Sequence, residues 1–507
     1  MGHAGRESGA AQPRIRRQRH GQRDDRGERR PRGRRELLHG RDRDRAQHRE
    51  RRLHPEAAQH ALRDPRRSDL PRARGAADAR ARRRARGRRH EPSARDRPLS
   101  GPQRHREEGA AHRQLIRYRA AWVLPIAAPP IAGGAVVVDR GRIVSIEERP
   151  ASGEDLGSVA ILPGLVNAHV HLELSWMRGR VPPCDAMCVW AQSLMALRRT
   201  VTEEPREPIA AAIAEARASG TCLVGDITNT LSAYDALADT EMSAMIFREM
   251  LGFSAPDPGG FVDRTLAQLA ELTPIARLRT SLAPHAPYSV SPALFSAIAD
   301  RAEHAPVSVH LGESPEEIQF LRDGTGPWRS VLEHLGVWNP AWTPPACGPV
   351  EYLARVGLLN ERLVAVHGVQ LTGDELARLS SARATVVTCP RSNRWTGAGD
   401  PPIDRFYASG VRVAIGTDSL ASVEDLNMFH EMAEVRRLAP SVRARAILRS
   451  ATQSGAEALG FAGDLGTIEP GRRAELLAVR VPDGVTDVEE YLLGGIEPLD
   501  VQWLDPA

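Results

Sequence analysis

Lysine is missing from this chain of 507 residues, so all 69 of its basic residues are arginines. The absence excludes catalysis through a lysine Schiff base, a phosphate-binding loop that depends on lysine, and a metal bridge built on a modified lysine. Hydrophobic residues make up 41% of the chain, which is enough for a sizeable core. The length fits roughly two to four domains, or one large barrel with a small partner domain.

Cysteine is also sparse. The five cysteines form no C-x-x-C pair, and their odd number does not suit a disulfide framework. We therefore expect reduced thiols in a cytoplasmic protein. They are Cys184, Cys188, Cys222, Cys347 and Cys389.

The first 114 residues differ in composition from the rest. They contain no Phe, Trp, Tyr or Val and carry a net charge of +19, whereas residues 115–507 carry −14. Such a segment buries too little apolar surface to offset its chain entropy, so we predict a disordered extension or a stretch translated from an over-extended reading frame. A basic arm for nucleic acid is the alternative, but the segment has no aromatic residues for base stacking, so nucleic acid is not the expected partner.

One uncharged run, residues 120–138, has about the length of a membrane span. Pro125, Pro129 and Pro130 would break a helix there, so we predict two short strands around a Pro-Pro turn and no membrane partner. A signal peptide is the alternative if the true start lies near Leu115.

Residues 161–455 alternate short apolar strands with amphipathic stretches. Eight such strands favour an α/β fold with a parallel sheet closed into a (β/α)8 TIM-like barrel. The first 45 or so residues after the extension and the tail Leu465–Val481 read as short strands and turns, which we expect to pair in a small β-sandwich. The predicted strands are Leu165–His171, Thr221–Asp226, Ser243–Met250, Arg279–Pro284, Pro306–Leu311, Leu363–His367, Thr385–Thr388 and Val411–Ile415. The predicted domains are 1–114 as the extension, 115–162 with 456–507 as the sandwich, and 163–455 as the barrel.

His169 and His171 stand at the end of the first barrel strand. Residues two apart on a strand point to the same side, so both imidazoles face one point. The ends of later strands carry His310, His367 and Asp418. Because barrel active sites lie at the carboxyl ends of the strands, this coincidence predicts a metal centre.

Three histidines and one aspartate suit a single Zn²⁺ or Fe²⁺ with an open position for water. Glu313 follows His310 by three residues, and a carboxylate beside such a water is the usual proton shuttle of hydrolysis. His285 lies between two prolines in the segment 283–288, and we interpret it as a substrate contact.

Together these motifs resemble the amidohydrolase superfamily over about residues 116–490. The resemblance rests on Pro163-Gly-Leu-Val-Asn-Ala-His-Val-His171, on His310-x-x-Glu313, on His367, on Gly416-Thr-Asp418, and on the segment 466–476. The H-x-x-E motif is similar to that of the mononuclear branch, which includes cytosine, guanine and adenosylhomocysteine deaminases.

The resemblance implies a role for each motif residue. His169, His171, His310 and Asp418 would bind the metal. Glu313 would carry a proton from water to a ring nitrogen and then to the leaving amine. His367 would orient the water and polarise the reacting centre, and Asp418 would also accept a proton.

Finer features resemble the aminodeoxyfutalosine deaminases of menaquinone biosynthesis, which act on an adenine nucleoside bearing a benzoate. They are the segments 171–179, 389–393 and 417–422. A benzoate needs a cationic partner, and in this chain that partner must be an arginine. The predicted substrate contacts there are Arg178, Arg391, Arg394, Asn393 and Trp176.

Other readings stay open. The same constellation serves other ring deaminations, hydrolytic dechlorination of triazines, and the opening of cyclic amides. A non-catalytic binding protein is a remote alternative, because such relatives usually lose metal ligands. The sequence leaves the metal and the oligomeric state open, a homodimer included.

Overall fold

The computed structural model describes residues 115–505, and the predictions for residues 1–114 lie outside this range. The strands of the described part are numbered here in chain order. They are Ile116–Arg119 (β1), Trp122–Val123 (β2), Ile131–Ala132 (β3), Ala135–Asp139 (β4), Arg142–Glu147 (β5), Glu154–Asp155 (β6), Val159–Pro163 (β7), Leu165–Val170 (β8), Thr221–Thr228 (β9), Ser243–Met250 (β10), Leu278–Pro284 (β11), Val307–Leu311 (β12), Leu363–His367 (β13), Thr385–Thr388 (β14), Arg412–Ile415 (β15), Leu476–Arg480 (β16) and Val501–Trp503 (β17).

Helices alternate with the strands from β8 onward. They are Met187–Arg198 (α1), Arg206–Ala218 (α2), Tyr234–Ala238 (α3), Pro258–Ala270 (α4), Pro292–Arg301 (α5), Pro315–Asp323 (α6), Pro327–His334 (α7), Pro349–Arg355 (α8), Gly373–Ser381 (α9), Pro390–Thr396 (α10), Ile403–Ala408 (α11), Met428–Leu438 (α12), Ala444–Ser450 (α13), Gln453–Ala458 (α14) and Val488–Tyr491 (α15). Short 3₁₀ segments span Leu172–Met177 and Pro498–Asp500. Among the helices of residues 115–505, none has both the length and the apolar character needed to cross a bilayer.

Eight parallel strands form the centre of the fold. One sheet has the order β11-β10-β9-β8 and the other β12-β13-β14-β15. The two sheets meet at both edges: the His310 amide donates to the His285 carbonyl at 2.9 Å, and Val170 forms a parallel bridge with Asp418. This is the TIM-barrel-type α/β architecture predicted from the strand pattern.

Each central strand is buried, and this burial explains why the sequence shows short apolar runs rather than a strict alternation. All six residues of β8 and all five of β13 are buried. The helices turn their apolar sides to these strands. In α9, Leu376 and Leu379 are buried, and Thr372 with Glu375 closes a capping box at its start.

Two further sheets complete the described part of the chain, and one of them joins its two ends. One has the order β5-β4-β1-β6, and the other β17-β16-β7-β2-β3. In the second, β16 runs antiparallel to β7, with Leu477 opposite Leu162. Tyr118, Val136 and Leu476 share one apolar core between these sheets.

The tail differs in detail from its prediction. Strands were expected across Leu465–Val481, but apart from a bridge at Arg473 the chain forms a strand there from Leu476. Its turns at Gly466 and Gly471 have positive φ values of 95° and 88°, and they break the extended backbone that a longer strand requires. Val488 and Leu492 in the last segment pack with the barrel helices rather than between the two outer sheets. The predicted domain boundaries remain a prediction.

Candidate active site

Four histidines and an aspartate converge at the carboxyl ends of the central strands. They form what we call the histidine–aspartate cluster, and each of its members is 9% exposed or less. His171 Nε2 lies 3.4 Å from Asp418 Oδ1, His169 Nε2 lies 3.6 Å from the same oxygen, and His310 Nδ1 lies 2.9 Å from His367 Nε2. The members are His169, His171, His310, His367 and Asp418. The structure therefore brings together residues that are up to 249 positions apart in the chain.

Tight local backbone positions Asp418 against the first strand. A Cβ on Gly416 would lie 2.8 Å from the backbone N and O of His169, so glycine allows this close approach. Asn167 locks the contact, because its amide donates to Thr417 Oγ1 at 2.7 Å and accepts from the Thr417 amide at 3.1 Å. His367 and Asp418 both have positive φ values, 76° and 64°. Such strained positions persist where the surrounding structure holds them, commonly at functional sites.

The donor atoms of the cluster fit a divalent metal. Both ring nitrogens of His169 and Nε2 of His310 are buried without a hydrogen-bond partner, an arrangement that is costly unless something else binds them. Ligand atoms of His169, His171 and Asp418 lie within 4.8 Å of one another, as do those of His169, His310 and His367. Imidazole nitrogens with one carboxylate form the set that zinc and iron(II) accept.

The charge states of His169 and Asp418 also suit a metal. Burial lowers the pKa of His169 to about 3, so this imidazole is neutral at pH 7, the form that binds metal. Burial acts to raise the pKa of Asp418, but its interactions with His169 and His171 hold the value well below the usual range. Ser392 Oγ and Ser422 Oγ donate to Asp418 Oδ2 at 2.5 and 3.2 Å, which fixes this carboxylate in place.

Glu313 faces the cluster from the turn after β12. Its Oε1 lies 3.5 Å from His367 Nε2, and the residue is 3% exposed. The carboxylate of Glu317 accepts hydrogen bonds from the Gly312 and Glu313 amides at 2.9 and 3.1 Å and so holds the turn. Burial raises the pKa of Glu313 to about 8, which suits a group that takes up and gives back a proton near neutral pH.

The cluster, apart from His169, forms the floor of a cavity of about 210 Å³, which we call the catalytic cavity. Its walls are mostly apolar and come from α1 and α7, with Trp190, Leu194 and Met195 on one side and Trp328 and Leu332 on the other. Tyr288 stacks on Trp328 at 3.9 Å between ring centroids, nearly parallel. A polar, metal-binding floor under flat apolar walls suits a planar heterocycle.

Of the predicted substrate contacts, His285 lines the catalytic cavity. Its Nδ1 lies 2.6 Å from Ser289 Oγ, and its ring lies 4.9 Å from that of His310. Asn393 instead supports His367, since its amide nitrogen donates to His367 Nδ1 at 2.9 Å. Trp176 is buried in an apolar cluster beside Met177.

The predicted arginines do not reach the catalytic cavity as the structure describes it. Arg178 pairs with Glu215 at 2.5 Å. Arg391 pairs with Asp425 at 2.9 Å and Glu424 at 3.3 Å, and a third carboxylate, that of Glu431, lies 3.6 Å away. Arg394 is likewise bound, by Asp400 and Glu434. The guanidinium groups that were predicted to bind the substrate are therefore already paired with carboxylates of this chain.

The polar residues of the cavity that were missed from sequence include Asn229, Glu249 and Arg198. Asn229 donates to Glu249 Oε2 at 2.8 Å and accepts from Arg198 at 2.7 Å. Arg198 also binds Glu173 at 2.6 Å and Glu204 at 2.9 Å. Glu249 is the next-to-last residue of β10, so the strand-end rule that identified His310 would have found it. Its free Oε1 is buried and lies 3.4 Å from His310 Nε2.

The fold and the site define the class of protein. The model of the amidohydrolase family matches residues 160–492. The chain belongs to this family, and the predicted enzyme class, a hydrolase of the amidohydrolase type, is confirmed.

Individual relatives are deaminases. The chain is 33% identical over 351 residues to an aminodeoxyfutalosine deaminase of Deinococcus radiodurans, covering 65% of this chain and 81% of the relative, so the predicted resemblance is confirmed. It is 30% identical over 369 residues to a 5-methylthioadenosine/S-adenosylhomocysteine deaminase of Halobacterium salinarum, covering 69% and 80%. The crystal structure of an adenosine deaminase from Xanthomonas campestris with bound zinc matches with a TM-score of 0.65 and 28% identity, covering 76% of this chain and 90% of that one.

Proposed function

We propose that this enzyme is a metal-dependent deaminase that hydrolyses the 6-amino group of an adenine-type nucleoside. The observation that carries the proposal is the set of unpartnered ligand atoms of the histidine–aspartate cluster, with Glu313 beside them, at the floor of an apolar cavity. The names of the relatives support the substrate class, since each acts on an adenosine derivative.

His169, His171, His310 and Asp418 would hold one Zn²⁺ or Fe²⁺. When bound, the metal acts as a Lewis acid that lowers the pKa of water. The zinc of the Xanthomonas structure favours zinc as the first metal to test. His367 is less suited to be a ligand, because its Nδ1 accepts from Asn393 and its Nε2 therefore carries a proton toward the site.

The protein side chains then divide the proton transfers. Water adds to C6 of the purine, and Glu313 passes a proton to the adjacent ring nitrogen. His367 donates a hydrogen bond to the oxygen that develops negative charge. Asp418, kept ionised by its histidine neighbours, accepts the second proton of the water. That proton then passes to the amino group, and breakage of the C6–N bond releases ammonia and leaves a carbonyl at C6.

For the particular substrate we propose aminodeoxyfutalosine, which places the enzyme in menaquinone biosynthesis. The Deinococcus relative supports this choice. The Halobacterium relative favours a second candidate, methylthioadenosine, whose small neutral arm also suits walls made of Trp190, Leu194 and Leu332.

Several finer features belong to the same proposal. The bridge between Val170 and Asp418 supports the closure of both central sheets into one eight-stranded barrel. We also propose the sandwich and barrel boundaries given above, a cytoplasmic location, and a small nucleoside rather than nucleic acid as partner.

A substrate panel tests the proposal. We expect zinc-loaded protein to release ammonia from aminodeoxyfutalosine, and more slowly from methylthioadenosine and adenosine. Release of chloride from a triazine, or opening of a cyclic amide without ammonia from any nucleoside, would refute the deaminase assignment while leaving the family in place.

A further inference from the structure

The apolar wall of the catalytic cavity borders a second cavity, which we call the outer pocket. Met195 of α1, Val331 of α7 and Leu335, which caps α7, line both. The outer pocket measures about 400 Å³ and is open to solvent. Its other lining residues are Gln192, Ala196, Arg199, Ser330 and His334. A group that leaves the catalytic cavity past Met195 therefore enters a polar pocket.

Arg199 brings an uncompensated positive charge to this pocket. It caps the end of α1 and is exposed, and within residues 115–505 no carboxylate or other side chain binds its guanidinium. Its neighbour Arg198 contrasts with it, since Glu173, Glu204 and Asn229 bind that guanidinium. In the described part of the chain, the two cavities are lined by Arg198 and Arg199, and of these two only Arg199 has no side-chain partner for its charge.

Exposed apolar side chains line the catalytic cavity, and one of them, Leu335, also lines the outer pocket. Leu335 is 37% exposed and Leu251 is 48% exposed, and both line the catalytic cavity. Large apolar side chains exposed inside a cavity are the surface that an apolar ligand group would cover. A flat ring lying over Met195 and Leu335 would bury them and reach the edge of the outer pocket.

We propose that the outer pocket is the subsite for an anionic arm of the substrate, with Arg199 binding the arm's carboxylate. The inference rests on the proposed function, because it requires the purine to occupy the catalytic cavity. The aromatic part of the arm packs on Met195, Val331 and Leu335. Its carboxylate accepts a forked pair of hydrogen bonds from Arg199, with the Gln192 amide and the Ser330 hydroxyl within the same pocket. This subsite replaces Arg178, Arg391 and Arg394 as the determinant of specificity.

A structural role of Arg199 has to be distinguished from its proposed role in binding the carboxylate of the substrate. A positive charge at the end of a helix stabilises it through the helix dipole. Arg405 offers a matched control, since it lies in the last turn of α11, is exposed, and has no ion pair with any residue from 115 to 505. Arg405 lines neither cavity. Loss of either arginine removes the same charge from a helix end, and loss of Arg199 alone removes it from the outer pocket.

The test compares two substrates on the full chain loaded with zinc. We expect Arg199→Ala to lower kcat/KM for aminodeoxyfutalosine at least about tenfold, the size of a charged hydrogen bond, mainly through KM. The same variant keeps its kcat/KM for methylthioadenosine, which has no carboxylate. Arg199→Glu shows a larger loss of kcat/KM, and this loss is confined to aminodeoxyfutalosine. Arg405→Ala leaves both values unchanged. Equal losses on both substrates, or no loss on either, would overturn the subsite.

Failure of the proposed deaminase function can be distinguished from failure of the proposed subsite. Wild-type protein that deaminates methylthioadenosine but not aminodeoxyfutalosine upholds the deaminase and overturns the subsite. If wild-type protein deaminates neither, calorimetric titration with aminodeoxyfutalosine decides the matter. Binding that weakens in Arg199→Ala and not in Arg405→Ala supports the subsite, and absence of binding overturns it.

Discussion

Their different surroundings give the two acids of the site, Glu313 and Asp418, opposite roles. For Glu313 burial is the largest influence, and it raises the pKa to about 8. Asp418 is buried as well, but His169 and His171 keep its pKa well below the usual range. At neutral pH one carboxyl group can hold and transfer a proton while the other stays ionised. Two acids with pKa values separated by their surroundings are a common arrangement in acid–base catalysis.

The role of Glu313 is testable by a change that keeps its shape. We expect Glu313→Gln to lower kcat by about 10²–10⁴-fold, the usual contribution of a general acid–base group, because an amide cannot shuttle the proton. Zinc content, measured by atomic absorption, should stay at the wild-type level. Exposed Glu207 on α2 supplies the control, and Glu207→Gln should be fully active. Near-normal turnover by Glu313→Gln would refute its role.

Asn393 is expected to act through His367 rather than on the substrate. Removal of the amide in Asn393→Ala frees the imidazole to turn or to change its tautomer. Since loss of a partner that orients an active-site group commonly costs about 10–100-fold, kcat should fall by that factor with KM nearly constant. Steady-state kinetics on methylthioadenosine measures both. A rise in KM with unchanged kcat would instead identify Asn393 as a substrate contact.

The residues of the site were predictable to different degrees. His169, His171, His310, His367, Glu313 and Asp418 follow from strand ends, because a barrel directs all its strand ends to one place. The arginines were not predictable in this way. Arg391 binds Asp425 and Glu424, which reach it from the segment before α12, and no local pattern shows which carboxylates will meet a given guanidinium.

At the scale of elements, the site depends on how closely β8 approaches the turn after β15. Gly416 has no side chain, so the turn lies against the His169 backbone, and the Asp418 amide donates to the His169 carbonyl at 3.0 Å. The Asn167 side chain reinforces the same contact from β8. The ligands of the proposed metal are therefore positioned by packing between elements as well as by their own strands.

A methyl group at Gly416 should damage the site. The added Cβ of Gly416→Ala would meet the His169 backbone at 2.8 Å, where the atoms cannot move aside without separating the two strands. We expect about 1–3 kcal/mol of lost stability by urea unfolding, together with loss of bound zinc. Gly373→Ala is the matched control, because its Cβ would have nothing within 4 Å, and it should keep its stability and zinc. Normal zinc binding by Gly416→Ala would contradict this account.

The elements themselves were largely predictable. The ranges of β10, β13 and β14 agree with the sequence prediction, since each is a short run rich in apolar or β-branched residues between turn or helix signals. The two sheets of the outer region were expected as well, but the turns at Gly466 and Gly471 shorten the predicted strands of the tail. A propensity pattern cannot show where a glycine takes a positive φ. That φ depends on contacts with distant segments such as Thr452 beside Gly466.

At the scale of the molecule, the cluster connects the two central sheets. His169 and His171 come from the sheet that contains β8, whereas His310 and Asp418 come from or follow strands of the other. A metal bound to all four would link both sheets at their carboxyl ends. Binding to the folded state alone then adds to the stability of the whole molecule.

Removal of the metal should therefore lower the melting temperature. Saturation at 100 times the dissociation constant contributes about 2.7 kcal/mol, which for a folded part of this size is a shift of about 3 °C. Calorimetry of chelator-treated and zinc-restored protein measures the difference. The same treatment of His169→Ala should produce no shift. A wild-type melting temperature that chelator does not change would contradict the claim that metal binding stabilises the folded state.

The central claim is that metal held by the histidine–aspartate cluster drives hydrolytic deamination. The most direct measurement is ammonia release from aminodeoxyfutalosine and methylthioadenosine by the full chain, stripped of metal with chelator and then restored with one equivalent of zinc. The account predicts no release from either nucleoside after stripping, recovery with zinc, and no recovery in His169→Ala. Release that continues without metal, or that zinc restores equally to His169→Ala, would contradict it.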